Sequence, residues 1–298
     1  MAEKVTGSPP RDAEPVMHTG SDALAHMVAI PSKLCNLPPL HSIANQVLAL
    51  SADDNVSLPK LAAVIEGDPA FAAEILFLAN SPLFGFRSEM HALRHAVTVL
   101  GFDRIKALAV TVAMRAYLGH ASPLVRQCWR HSAACAVIAE EISPLFDILG
   151  DRAYTAALMH DIGRLGLLKS YAREVAPVLT AQYRDPAEVL MAERVAINVD
   201  HGVAGAWLVK TWAFPSEFVE ICEHHHDSIR PSDAPALKAV KAACLIADTL
   251  GYTAVRYRNL PGYQDLLSTT FPQQGPKKFP AEEELRTNVD ARLAAFEQ

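Results

Sequence analysis

From Leu40 to Leu250 the apolar residues recur at helical spacing, and no segment of several residues alternates like a strand. That pattern confines the chain to packing helix on helix. The run Ala107-Leu108-Ala109-Val110-Thr111-Val112-Ala113-Met114 narrows it further, because it is apolar on nearly every side. A helix with no polar face belongs at the centre of a fold. The expectation is an all-α chain in two lobes that meet near residue 120, with this helix between them.

Start and stop signals divide the first lobe, about 25–120. Leu37-Pro38-Pro39 stops any helix upstream, and Leu40, Ile43, Val47 and Leu50 share one face. Ser57 is a plausible cap for a helix ending at Gly67, and Asp68-Pro69 starts the next, which ends at Asn80-Ser81-Pro82. Leu83 to Glu89 reads as a loop. Its Phe84-Gly85-Phe86 either packs in the core or offers a docking surface, with the core as the expectation. Two helices follow, His91 to Leu100 and Asp103 to about Leu118, broken at Gly101. In the second lobe, about 121–252, helices are expected at about 124–142, 151–168, 171–182, 186–197, 201–212, 215–225 and 234–251. Residues 1–24 read as a flexible tail. Residues 253–298 read as a mostly irregular C-terminal tail, with room for a short amphipathic helix from Glu282 to Phe296.

Half of the 298 residues are apolar and the formal net charge is −6, which suits a globular protein and gives no general attraction to nucleic acid or anionic lipid. Arg104, Lys106 and Arg115 lie on one apolar helix, and a solvated face accounts for them, so nucleic acid is not an expected partner. The five cysteines, at 35, 128, 135, 222 and 244, form no CxxC pair and read as reduced thiols in a cytoplasmic protein. No secretion signal is recognisable at the start, and no run is long and apolar enough to insert in a membrane.

Chemistry concentrates in the second lobe. Leu158-Met159-His160-Asp161-Ile162-Gly163-Arg164 follows an alanine-rich helical run. A carboxylate in so apolar a setting needs a metal ion, a cationic side chain or a network of hydrogen bonds to compensate it. His131 lies mid-helix, His201 follows the helix cap Asp200, His224, His225 and His226 end a helix, and Asp248 is embedded in another apolar one. Imidazoles and carboxylates are the donor set for Zn, Fe, Mn or Ni. Each has a bland reading: a hydrogen-bonded core histidine, a histidine run facing the negative end of a helix dipole, an Asp248 paired with an arginine. The recurrence of these residues on neighbouring elements weakens those readings taken together.

The set His131, His160-Asp161 and Asp248 resembles the HD superfamily. Leu37-Pro38-Pro39-Leu40, Asp68-Pro69-Ala70-Phe71-Ala72, Leu78-Ala79-Asn80-Ser81 and Ala96-Val97-Thr98-Val99-Leu100-Gly101 narrow the likeness to the HDOD family. So do Trp129-Arg130-His131-Ser132, the stretch around His160-Asp161, Asp200-His201-Gly202-Val203-Ala204-Gly205 and His225-His226, so that the resemblance covers roughly 28–252. It implies an all-α signalling domain, related to metal-dependent phosphohydrolases and usually viewed as a bacterial regulatory output module.

Carried over from the related HD-GYP phosphodiesterases, which cleave cyclic di-GMP, the metal ligands would be His131, His160, Asp161, His201, His225, His226 and Asp248. They would take one or two divalent transition-metal ions. Three departures weigh against cyclic dinucleotide hydrolysis: Gln127 where some of those enzymes have a metal-binding Glu, Arg164 where they have a Lys, and Asp227-Ser228-Ile229-Arg230-Pro231 in place of Gly-Tyr-Pro.

Two functions follow from the resemblance. One is a regulatory module acting through a signalling protein partner or a ligand, with or without metal; the sequence names neither that partner nor an oligomeric state. The other is a phosphohydrolase in which Asp161 bridges two ions and Arg164 neutralises a phosphate oxygen. The ions would have His131, His160 and Asp248 on one side and His201, His225 and His226 on the other.

Overall fold

A computed structural model of the chain describes residues 30–50, 57–81, 90–118, 122–272 and 279–296. The tail expected at 1–24, the loop Leu83 to Glu89 with its Phe84-Gly85-Phe86, and the Gly119-His120-Ala121 junction lie outside the described residues. The elements of the first half are α1 (Ser32–Cys35), α2 (Ser42–Leu50), α3 (Leu58–Glu66), α4 (Pro69–Ala79), α5 (Leu93–Leu118) and α6 (Pro123–Ile142). They are followed by α7 (Gly150–Met159), α8 (Ile162–Thr180), α9 (Pro186–Ile197), α10 (His201–Thr211), α11 (Ser216–His224) and α12 (Pro235–Thr249). Among the described residues the fold is all-α apart from a two-residue parallel pair that sets β1 (Gln182–Tyr183) against β2 (Arg256–Tyr257).

Local chemistry explains the boundaries. Ser57 Oγ accepts from the Lys60 amide, and Asp68 Oδ1 accepts from both the Ala70 and Phe71 amides, so α3 and α4 begin where orphan N–H groups find an acceptor. Gly101 breaks α5 with φ 77°, a left-handed backbone that an L side chain resists. The helix is central: α2, α3, α4 and α7 all pack against α5. Leu108 and Val110 have no exposed surface, and truncating Leu108 to alanine would cost about 2–5 kcal/mol.

The cations of α5 do not form a solvated face. Lys106 is buried and pairs with Asp103, Arg115 is half-buried, and Arg104 bridges to Glu140 on α6 at 2.8 Å and to Asp151 on α7 at 2.9 Å. A long side chain buries its stem and keeps its charge by finding a carboxylate.

Two other expectations are corrected. The helix expected at 151–168 ends at Met159 and restarts at Ile162, while the expected gap near 170 is only a bend at Tyr171 (φ −136°, ψ 42°) inside α8. Nor is the stretch 253–298 mostly irregular. It carries β2, α13 (Tyr263–Thr270) and α14 (Glu282–Phe296). Leu285, Val289 and Leu293 form the buried stripe of α14 against α6, and α13 packs on α12. No helix among the described residues is long and apolar enough to cross a membrane.

Candidate metal centre

The break between α7 and α8 creates the site. His160 closes α7, Asp161 precedes α8 and Arg164 lies in its first turn. Close contact with α10 is permitted by Gly163: a Cβ there would lie 1.9 Å from the His201 carbonyl oxygen and 2.5 Å from the Gly205 nitrogen. A bare backbone at this crossing brings the start of α10, and His201 with it, against the His160-Asp161 doublet.

The structure draws six of the seven expected ligands into one chain of contacts. Ring centroids are 5.4 Å apart for His131 and His160, 4.8 Å for His160 and His225, and 5.3 Å for His201 and His225. His226 Nε2 lies 2.9 Å from His201 Nε2. Asp161 Oδ1 stands 3.4 Å from His201 Nε2 and 3.8 Å from His225 Nε2. Asp248 stands at the margin. Its Oδ1 is 3.7 Å from His131 Nδ1, and among the described residues it joins none of the groups whose donor atoms lie within 4.8 Å of one another. Its partner is thus a histidine rather than an arginine. His224 is outside the cluster and pairs with Asp227.

The hydrogen bonds fix the ring orientations. His131 Nδ1 faces the Tyr252 carbonyl at 2.6 Å, His160 Nδ1 the Ala157 carbonyl at 2.5 Å and His225 Nδ1 the Cys222 carbonyl at 2.9 Å. A carbonyl only accepts, so each Nδ1 carries the proton and donates it. His201 Nδ1 meets the Glu193 carboxylate at 2.6 Å, and the same oxygen accepts from the His201 amide. Four rings therefore turn Nε2 toward the interior. This outer anchoring is what metal-ligating histidines require.

Asp161 has a cationic neighbour. Arg164 Nε lies 3.0 Å from Asp161 Oδ2, and Arg164 Nη2 donates to His201 Nε2 at 2.9 Å. Burial alone would raise the Asp161 pKa, but Arg164 first, then His201, His160 and His225, hold it well below the usual carboxylate range. Burial likewise works against the Arg164 charge, and Asp161 and Glu193 more than offset it. Arg164 is only 2% exposed, so its guanidinium is enclosed within the cluster. The pairing is close in distance but out of line, and both Asp161 oxygens lack a hydrogen bond. Unfilled carboxylate lone pairs beside inward Nε2 atoms fit a divalent cation.

Other pKa values follow from burial. Burial holds His225 down at about 3, with the nearby His160 and His201 adding to it, and puts His226 well below its ordinary value. It raises Asp248 to about 7. At His131 burial lowers the pKa, but the Cys244 sulfur and Asp248 outweigh it and raise it to about 10.

Three contributors escaped the sequence reading. Cys135 and Cys244 place their sulfurs among the rings of His131 and His160, and Glu193, with no exposed surface, orients His201. The signals were available as spacing: His131 and Cys135 are four apart on α6, as Cys244 and Asp248 are on α12, so each pair shares a helix face. Gln127 does not approach the cluster through its amide nitrogen, which donates to the Thr253 and Ala254 carbonyls. A cavity of 370 Å³, lined in part by His225, His226, Lys241, Cys244 and Asp248, leads to the edge of the cluster.

Comparison with known proteins gives the fold its relatives. Residues 37–228 match the model of the HDOD domain. An HDOD domain protein of unknown function from Geobacter sulfurreducens superposes with a TM-score of 0.70 at 20% identity, over 88% of this chain and 93% of that one. A phosphohydrolase candidate from Shewanella amazonensis SB2B superposes at 0.68 with 18% identity, over 89% and 96% of the two chains. A candidate signal transduction protein from Marinobacter aquaeolei VT8 gives 0.64 at 18% identity, over 88% and 60%. In sequence, an uncharacterized protein of Treponema pallidum (strain Nichols) is 23% identical over 225 residues, 73% of this chain but only 42% of that longer one.

Proposed function

Because the chain belongs to the HDOD family, we propose that it acts as a bacterial signal-transduction module whose histidine-rich centre is a scaffold rather than an active site. The observation that carries this reading is Arg164. Its guanidinium is buried inside the cluster, tied to the carboxylate that a two-metal hydrolase would share between its ions. One fixed positive charge already compensates Asp161. An ion held by His201, His225 and His226 beside Asp161 would add positive charge and join α10 to the end of α11. The chain's own residues hold that place open: Glu193 and three backbone carbonyls orient the rings, and Gly163 brings α8 against α10. Output passes to a protein partner, not to nucleic acid. The free cysteines, four of them buried, suit a reducing compartment, the cytoplasm.

A phosphohydrolase is the second reading, favoured by the convergence of His201, His225 and His226 near Asp161. Phosphohydrolase candidates among the structural neighbours point the same way. The two are separated by assaying the full chain, supplied with manganese or iron(II), on bis-(p-nitrophenyl) phosphate and on cyclic di-GMP. The regulatory reading expects no turnover above that of Asp161→Asn. Turnover that disappears in Asp161→Asn would establish the hydrolase instead.

A further inference from the structure

We propose that Cys135, Cys244, His131 and His160 form a closed Cys₂His₂ site for a thiophilic divalent ion, with zinc as the expected occupant. This site differs from the histidine and carboxylate set that the family resemblance implies. It uses two sulfurs in place of Asp161 and Asp248, and it stands whether or not the regulatory reading does.

Geometry is the first support. Zinc bonds run about 2.3 Å to sulfur and about 2.0–2.1 Å to imidazole nitrogen, so a tetrahedral ion sets nitrogen and sulfur roughly 3.6 Å apart. Cys135 Sγ is 3.6 Å from His131 Nε2, Cys244 Sγ is 3.6 Å from the same nitrogen, and Cys244 Sγ is 3.3 Å from His160 Nε2. All four donor atoms lie within 4.8 Å of one another. Both imidazoles present Nε2 because Nδ1 is committed to the Tyr252 and Ala157 carbonyls.

Charge balance is the second support. On binding, the two thiols release their protons to solvent, and two thiolates with one divalent ion leave no net charge in a buried site. The Asp161–Arg164 pair is neutral by itself. A buried interior tolerates neutral groupings and penalises unpaired charge. An ion on Asp161 would have to share that carboxylate with Arg164, whereas the sulfurs are neighboured by the two imidazoles that would join them as ligands. The ion would fasten α6, the end of α7 and α12 together. Cys244 lies on the wall of the 370 Å³ cavity, which gives an ion a route in.

The test is cobalt(II) replacement in the full-length protein purified under reducing conditions. The expected result is one equivalent of tightly held cobalt with an intense near-ultraviolet sulfur-to-metal charge-transfer band and the visible bands of a tetrahedral ion. Cys244→Ala should weaken the band, Cys135→Ala combined with Cys244→Ala should abolish it, and each should weaken binding by more than the roughly 10–100-fold that losing an outer-shell partner costs. Asp248→Asn should keep the band. Cobalt bound without that band, or no retained metal in the wild-type protein, would overturn the proposal. Because the wild-type spectrum alone decides it, a variant that fails to fold does not shelter the idea. Hydrolytic activity is a separate readout, so the two readings fail independently.

Discussion

Replacing Gly163 with alanine tests the packing that assembles the site. Alanine in a helix normally gains about 1 kcal/mol over glycine. Here the new Cβ would sit 1.9 Å from the His201 oxygen, 2.5 Å from the Gly205 nitrogen and 2.9 Å from the Gly205 Cα, where ordinary contact begins at 3.4 Å. All three neighbours are backbone, so no side chain can rotate away and the helices themselves must part by about 1.5 Å. Overpacking typically costs about 1–3 kcal/mol and occasionally more. Parting α8 from α10 also stretches the 2.9 Å contact between Arg164 and His201, so the upper end applies. Set against the helix gain, a net loss of about 2 kcal/mol corresponds to a fall in Tm of about 4–8 °C for a domain of this size. Gly150→Ala is the control, since its Cβ would meet only the flexible Glu140 Cγ closely, at 3.2 Å. Thermal unfolding followed by far-ultraviolet circular dichroism reads both. A Gly163→Ala protein that melts with the wild type, or above Gly150→Ala, would refute the reasoning.

Arg164→Met removes the guanidinium and leaves Asp161 buried without its ion-pair partner, at a cost of about 3–5 kcal/mol in urea unfolding of chelator-treated protein; an unchanged midpoint would show that the pair contributes nothing. Glu193→Ala takes the acceptor from both the amide and the Nδ1 of His201, for about 2–3 kcal/mol, and should lower retained metal on the His201 side of the cluster; unaltered stability would mean that water replaces the carboxylate. The acid limb of stability can be signed. His225, held at about 3, and His226, held well below 6.5, stay neutral in the fold but take up protons when unfolded, so their contribution is full above pH ~6.5 and is lost as pH falls below it. Asp248, raised to about 7, opposes them, since its folded form keeps a proton that the unfolded chain releases above pH ~4. Glu141 and Asp151, also raised by burial, add to that opposition but lie nearer the surface than His225, so the urea midpoint of metal-free protein is expected to fall between pH ~6.5 and ~4, and a flat or rising midpoint would count against the burial of both histidines.

Much of this architecture was readable because helices announce themselves locally. Ser57, Asp68 and Asp200 act on amides within three residues, and Gly101 breaks its helix by its own backbone angle, so no distant contact was needed to place them. The break at His160-Asp161 was harder. Ala153 to Leu168 is periodic throughout, and the interruption comes from α8 turning to meet α10, a tertiary demand. The same limit explains the site. His160, Asp161 and His225 stood out as polar residues in apolar helices, whereas Cys135 and Cys244 passed as small apolar ones. Arg104 and Arg115 looked solvated because their acceptors and cover lie on other elements. For α13 and α14, the Pro and Gly punctuation between them obscured how short helices could bury Leu266, Leu285 and Leu293 against the body of the fold.

Glu140 has a consequence for how the two ends of the chain communicate. One of its oxygens holds Arg104, 36 residues earlier on α5, and the other holds Arg292, 152 residues later on α14. Two cations thus lean on a single anion from opposite directions. Detaching the last helix, whether by proteolysis or by a competitor for its apolar stripe, would release one of them and leave the central helix of the first lobe with a more strongly held counter-ion. The last helix and the central helix of the first lobe thus share one counter-ion, with no histidine between them.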